Sequence, residues 1–451
     1  MFYREAKISI RSFLFSSMQR LLAEQLFPSG KGDWYPSQII DKTSGRAPFD
    51  QFIFEQKTIP GTPLYAQVTD LDFGLERIES TLASGDTCEL EVMRCTPTFP
   101  ASASLAGNGK HIVYFTGMGT CYQKCLPDIT TAAKETGATL YAFNYPGCYA
   151  STGKIREVKD LVNAGLSVVN TLLRRGVHPD TIILLGDSFG AAISYIVKRE
   201  FKLQSQLDLR VIMNNTFSSF KAAVNDQLSR SLPKFISPDV KKLLVYLGYH
   251  ITPGKDYKFA GPYQCHIQHA GDQLLSAKSS LSAKVSRYTL ESATGETRSK
   301  KRVPYQDDCP AEYRASRDRL DQKHIVYLRA DAKAGLAKKF GTDKHGNVNT
   351  HFADLCDLEI DGGGSVYTHF ICDYISASDA YIHRGHQQLF DPSTAELPQP
   401  LLFSKEDISL PRSAGQALQQ ARKQLLTQEI AGAAPEEDGS EENKLLLKKM
   451  K

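Results

Sequence analysis

No apolar stretch in this 451-residue chain reaches the ~18 residues that a helical membrane span needs. The N-terminal run "MFYREAKISIRSFLFSSMQRLLAEQLF" comes nearest, but Arg11 and Arg20 break it, which makes it a poor secretory signal. It reads as an amphipathic helix packed on the main domain, with a place on a membrane surface as the alternative. Strong charge is missing too. A net charge of +4 is mild for this length, and there is no zinc-finger spacing, RNA-recognition signature or long basic stripe. Nucleic acid is therefore not an expected partner. The nine cysteines are odd in number and irregular in spacing, unlike a disulfide framework. They are expected to be mostly reduced, as in a cytosol. Cys121 and Cys125 have no second pair to complete a zinc site and read as neighbours on one helix face. No pattern calls for a metal or a cofactor, and no internal repeat is visible.

What the chain does have is enough apolar residue, 41%, to fill a large core. From about residue 105, short apolar runs alternate with helical patterns. "HIVYFTG" (111–117), "ATLYAFNYPG" (138–147), "TIILLGDS" (181–188), "LRVIMNNT" (209–216), "QCHIQHAG" (264–271) and "HIVYLRA" (324–330) read as strands. Helices are expected at about 122–136, 155–176, from 190, and at 364–378. Such alternation predicts βαβ units, hence an α/β fold with a mostly parallel sheet covered on both faces. Its ligands would bind beyond the carboxyl ends of the strands. Three regions follow: a partly helical N-terminal extension (1–80), the α/β domain (81–385) with a polar insertion at about 291–321, and a tail (386–451). The tail holds a lone helical pattern at 413–432 and a glutamate-rich patch in 434–451, a composition that favours disorder.

The chemistry centres on Gly186-Asp187-Ser188-Phe189-Gly190, with a strand before it and a helix after it. A serine hydroxyl is a weak nucleophile until a base takes its proton. A strained strand-to-helix turn raises it above the sheet, and the flanking glycines let strand and helix approach closely. An oxyanion hole needs two aimed N–H donors. Phe189 is the first candidate, and Met118, in the glycine-rich loop "YFTGMGT", is the second. The acid should follow a later strand, where Asp272 stands. His266 and His269 lie within that strand and are expected to be packed there. The base should lie after the last strand. His351 is the first choice, and His369 and His345 remain open; a strand at "FADLCDLEI" would promote His369.

"YFTGMGT", "FNYPGCYASTGK", "GDSFGAA", "NNTFSSF" and "HAGDQLL", in that order, resemble the α/β-hydrolase superfamily over roughly 105–378. The most similar branch contains lipases, phospholipases and depalmitoylases. Two departures stand out. Thr116 occupies the place of the His in that family's His-Gly-x-x-Gly loop, and Thr350-His351-Phe352 replaces its Gly-His-Asn. The resemblance implies a serine hydrolase acting on a lipid or acylated substrate, with protein thioesters or a non-catalytic scaffold as alternatives. The glutamate patch near the C-terminus resembles that of Legionella effectors of the SidB-like group. That implies a stay in the bacterial cytoplasm, then type IV secretion into a host cell; peripheral membrane contact is an expectation from the amphipathic N-terminus alone.

Overall fold

The computed structural model describes residues 70–98, 105–224, 251–256, 264–269, 272, 275, 279–281, 323–328, 351, 354–358, 365–382 and 397–402. The expected N-terminal helix, the insertion at 291–321, His345, the helix at 413–432 and the glutamate-rich patch lie outside them. Eight strands form one sheet in the order β1-β2-β4-β3-β5-β6-β7-β8. They are β1 (Leu71–Thr81), β2 (Thr87–Pro97), β3 (His111–Phe115), β4 (Thr139–Phe143), β5 (Ile182–Asp187), β6 (Arg210–Asn214), β7 (Gln264–His269) and β8 (Lys323–Leu328). The β1–β2 and β2–β4 pairs are antiparallel, and every other pair is parallel. A mostly parallel sheet of this order, led by an antiparallel hairpin and covered on both faces, is the α/β-hydrolase fold.

The parallel strands are short, and β3 to β6 are buried on both sides. Val113 and Phe115 of β3 enter one core with Ile182 and Leu184 of β5, while Ile112, Tyr114, Ile183 and Leu185 enter the other. The first core is closed by α2 (Val158–Arg174) and α3 (Phe189–Ser205). The second is closed by α1 (Leu126–Thr136) and the C-terminal helix, whose first turn, Tyr367–Ile371, is π-helical before it continues as α4 (Cys372–Tyr381). In α2 the apolar stripe Leu161, Val162, Leu166, Val169, Leu172 and Leu173 is at most 2% exposed. Each such side chain contributes about 1.5–3 kcal/mol when buried. Gly165 completes the contact, because a Cβ there would lie 2.6 Å from the Phe115 ring and 2.7 Å from Val197. A capping box of Glu157 and Asp160 starts the helix, and Asp160 Oδ1 also accepts from Ala83 N at 2.7 Å. That bond ties the β1–β2 turn to α2.

Two features extend the sheet's reach. Strand β1 begins at Leu71, so the sheet starts before the boundary drawn at residue 81. Leu71 faces one core and Ile78 the other, but Glu76, Arg77 and Glu79 fall between and beside them, which hid the strand among polar residues. Residues 397–402, in the expected tail, lie across α2. Asn163 pairs with the Leu401 backbone, accepting at 2.7 Å and donating at 3.0 Å, and Asn170 Nδ2 donates to Pro398 O at 2.8 Å. Leu397 and Leu401 pack on the α2–α3 core. Among the described residues no helix is long and apolar enough to cross a membrane.

Candidate active site

Ser188 sits between β5 and α3 with φ 50° and ψ −110°, a left-handed conformation rare outside glycine. The flanking glycines make it possible. A Cβ on Gly186 would lie 2.6 Å from Gly190 O and 2.7 Å from Ala191. The Ser188 N–H donates to Asn214 O at 2.8 Å, which ties the turn to β6. The result lifts Oγ off the carboxyl end of the sheet, where strands β5, β6 and β7 deliver the other groups.

His351 and Asp272 meet it there. Ser188 Oγ is 3.1 Å from His351 Nε2, and His351 Nδ1 is 2.9 Å from Asp272 Oδ2. A carboxylate accepts only, so Nδ1 carries the ring proton and Nε2 is left to accept from the serine. Both partners are buried. Asp272 Oδ1 accepts from Leu275 N at 2.8 Å, which fixes the carboxylate plane. Asn215 Nδ2 lies 3.3 Å from His351 Nδ1, and its Oδ1 accepts from Gln268 Nε2 at 2.6 Å. Of the other histidines, His266 is buried in β7 against Met213 O and Gln268, as expected. His369 falls in the π-helical turn, and residues 355–357 of the possible extra strand form a 3₁₀ turn instead.

The glycine-rich loop runs beside the serine. A Cβ on Gly117 would sit 3.9 Å from Ser188 Cβ and 3.6 Å from Asp187 O. Gly119 takes φ +72°, and Met118 next to it is 45% exposed. Phe189 opens α3, and the N–H groups of a first helical turn point out of its N-terminal end. Thr116 is buried, and among the described residues its Oγ1 has no hydrogen-bond partner.

The loop is anchored by residues that no motif announces. Glu91 on β2 accepts at Oε1 from Tyr122 Oη (2.6 Å), Gln123 Nε2 (2.7 Å) and Asn144 Nδ2 (3.2 Å). Asn144 Oδ1 takes the Tyr122 N–H at 3.2 Å. Burial pushes the Glu91 carboxyl up, and these donors pull it back. A second group lies under the elbow. Asp187 Oδ1 accepts from Asn214 Nδ2 at 2.7 Å, and Asp128 accepts from Tyr367 Oη (2.7 Å) and Cys356 N (2.9 Å). Burial first, and the Asp187 charge second, push Asp128 up to about 7. Asp354, Cys356 and Asp357 are the one group among the described residues close enough to hold a cation, their ligand atoms lying within 4.8 Å of one another.

Residues 346–413 match the family model of the SdbC C-terminal domain. The SdbC-like segment thus carries His351, the two residues that reach Asp128, the C-terminal helix and the 397–402 strap, while Ser188 and Asp272 lie outside it. A comparison with curated proteins gives no match. Among solved structures, an alpha-beta hydrolase from Vibrio vulnificus is 13% identical, with a TM-score of 0.38 over 57% of this chain and 74% of its own. An esterase from Pyrococcus furiosus is 14% identical, with a TM-score of 0.38 over 69% and 90%. Carboxyl esterase 2 from Tuber melanosporum is 13% identical, with a TM-score of 0.39 over 69% and 87%.

Proposed function

We propose that the chain is a serine hydrolase that cleaves acyl esters, foremost those of lipids, through a covalent acyl-enzyme. The observation that carries this reading is the unbroken series from Ser188 Oγ through His351 to Asp272, seated on a strained elbow. His351 Nε2 takes the Ser188 proton as Oγ attacks the carbonyl carbon. Asp272 holds the ring and stabilises the imidazolium that forms. The carbonyl oxygen becomes an oxyanion, held by the N–H groups of Phe189 and Met118; one such donor contributes about 10²–10³ in rate. Collapse expels the alcohol, which leaves with the proton from His351. Water, deprotonated by the same imidazole, then releases the acid and frees Ser188.

A fluorophosphonate probe on the full-length protein tests this. Labelling of the wild type and none of Ser188→Ala is the expected result. No labelling, or equal labelling of both, would leave a non-catalytic scaffold as the reading. Fatty-acid release from phosphatidylcholine vesicles, set against thiol release from an S-acylated peptide, separates lipid ester from protein thioester. The exposed Met118 beside the serine suits an apolar acyl chain. Flotation on liposomes with and without residues 8–27 tests peripheral membrane contact; equal flotation removes that segment from the account.

The SdbC-domain match and the glutamate-rich residues of 434–451 support a second element, that the chain is a bacterial effector delivered into host cells. A translocation reporter fused to the chain should enter host cells, and removal of 434–451 should stop it. Delivery unchanged by that removal would remove the patch from the account.

A further inference from the structure

Behind His351 runs a buried chain of polar side chains that the triad itself does not use. Asn215 follows β6 with φ 51°, a left-handed conformation that asparagine tolerates better than most residues. Its N–H donates to Ile267 O at 2.7 Å, which pins it beside β7. Its amide lies between His351 Nδ1, at 3.3 Å, and the Gln268 amide, at 2.6 Å. Gln268 in turn meets Ser280 Oγ and, at 3.2 Å, His266 Nε2. His266 Nδ1 closes the chain on Met213 O, again at 3.2 Å. Asn215, Gln268, Ser280 and His266 are each at most 1% exposed.

Protons decide which way such a chain points. A half-turn of an amide exchanges its oxygen and nitrogen and leaves every other heavy atom in place. In the orientation described above, Asn215 turns Nδ2 to His351, and Gln268 turns Oε1 to His266. Two contacts then set like against like. The Asn215 N–H opposes the proton that His351 Nδ1 holds toward Asp272. A buried ring is kept neutral by the cost of desolvating a charge, so His266 has one proton for two acceptors, Met213 O and Gln268 Oε1. Turning both amides together removes both conflicts. His266 Nδ1–H then donates to Met213 O. Gln268 Nε2 donates to His266 Nε2 and to Ser280 Oγ. Asn215 Nδ2 donates to Gln268 Oε1, and Asn215 Oδ1 accepts from His351 Nδ1–H beside Asp272.

We propose that Asn215 is a positioning residue for His351: its amide works in the turned orientation as a second acceptor for the Nδ1 proton, and Gln268 and His266 hold it there. The effect on acyl transfer rests on the hydrolase reading above; the direction of the chain does not. The imidazolium formed during attack carries part of its charge at Nδ1. An acceptor there, added to Asp272, stabilises that charge and restrains the ring. A neutral carbonyl dipole does so without placing a second anion beside Asp272.

Nitrogen-15 NMR of the histidine-labelled full-length protein reads the direction. A proton on His266 Nδ1 leaves Nε2 to accept, and only the turned Gln268 can donate there. His266, assigned through its nuclear Overhauser contacts to Met213, should be neutral with Nδ1 protonated. A proton on Nε2, alone or together with Nδ1, would overturn the proposal. Asn215→Gly gives the functional readout, because glycine keeps the left-handed backbone and removes only the amide. In protein that still melts above the assay temperature, fluorophosphonate labelling should fall about 10- to 100-fold, the loss expected for one hydrogen bond to a charged group. The His351 Nδ1 proton should move upfield and exchange faster with solvent. A wild-type labelling rate, or an unmoved Nδ1 proton, would overturn the positioning role. If the variant fails to fold, the wild-type His266 tautomer decides. A proton on His266 Nδ1 without labelling of the wild type would retain the chain and overturn the hydrolase reading. Labelling with the proton on His266 Nε2 would do the opposite.

Discussion

Gly190 stands directly against Thr116: a Cβ on Gly190 would lie 2.3 Å from the Thr116 carbonyl oxygen and equally close to that of Phe115. Both neighbours are backbone at the end of the central strand, so neither can rotate away. Gly190→Ala should therefore push α3 off the sheet and carry the serine with it. Overpacking against yielding side chains costs about 1–3 kcal/mol, and this contact should exceed that range. Thermal denaturation should show a large loss of stability, and fluorophosphonate labelling should fall with it.

Asp272→Asn leaves shape intact and removes the acceptor that fixes the Nδ1 proton. The carboxamide can present an N–H to His351 and favour the wrong tautomer. Labelling of Ser188 should drop by up to about 10⁴-fold, with the melting temperature little changed. A variant that labels at the wild-type rate would show that the Asp272 carboxylate is not what holds the Nδ1 proton.

Glu91→Ala should loosen the glycine-rich loop without touching the serine. It leaves three donors, from Tyr122, Gln123 and Asn144, without their shared acceptor. Each buried group so stranded costs about 1–3 kcal/mol. Faster hydrogen exchange across residues 116–125, together with slower labelling, is the expected outcome, and Glu91→Gln should recover part of both.

Asp128 gives the fold a pH dependence of defined sign. Its carboxyl rises from 3.8 to about 7 on folding, chiefly through burial. Between those values the folded chain binds more protons than the unfolded one, so stability falls as pH rises through that window. Asp128→Asn removes this contribution. The stability of the wild type relative to Asp128→Asn, from denaturant unfolding, should decline from about pH 4 to about pH 7 and then level off.

How much of this geometry was legible depended on whether one residue type could speak for itself. The elbow was legible because two glycines and a serine between an all-apolar strand and a helix admit few structures. Asp272 and His351 were legible by position, since a strand end and the loop before the last helix both face the same edge of the sheet. The choice among three histidines was not, because loop length sets no direction for a side chain. The β1–β2 hairpin was hidden by the charged residues interspersed along β1. Glu91 looked like one more solvent-facing glutamate of that hairpin; its burial comes from a loop thirty residues away in sequence. The Asp128–Tyr114–Asp187 contact joins a helix and two strands, and no spacing along the chain encodes it.

The strap at 397–402 has a mechanical meaning. The C-terminal helix packs on the α1 face of the sheet, whereas Leu397 and Leu401 pack on the α2–α3 face. The helix and the strap thus lie on opposite faces of the sheet. The segment that brings His351 to the serine is thus also a buckle, gripping both layers at once. Loosening one layer would pull on the other, so the two cores are tied into a single cooperative unit by the same stretch of chain that supplies the base.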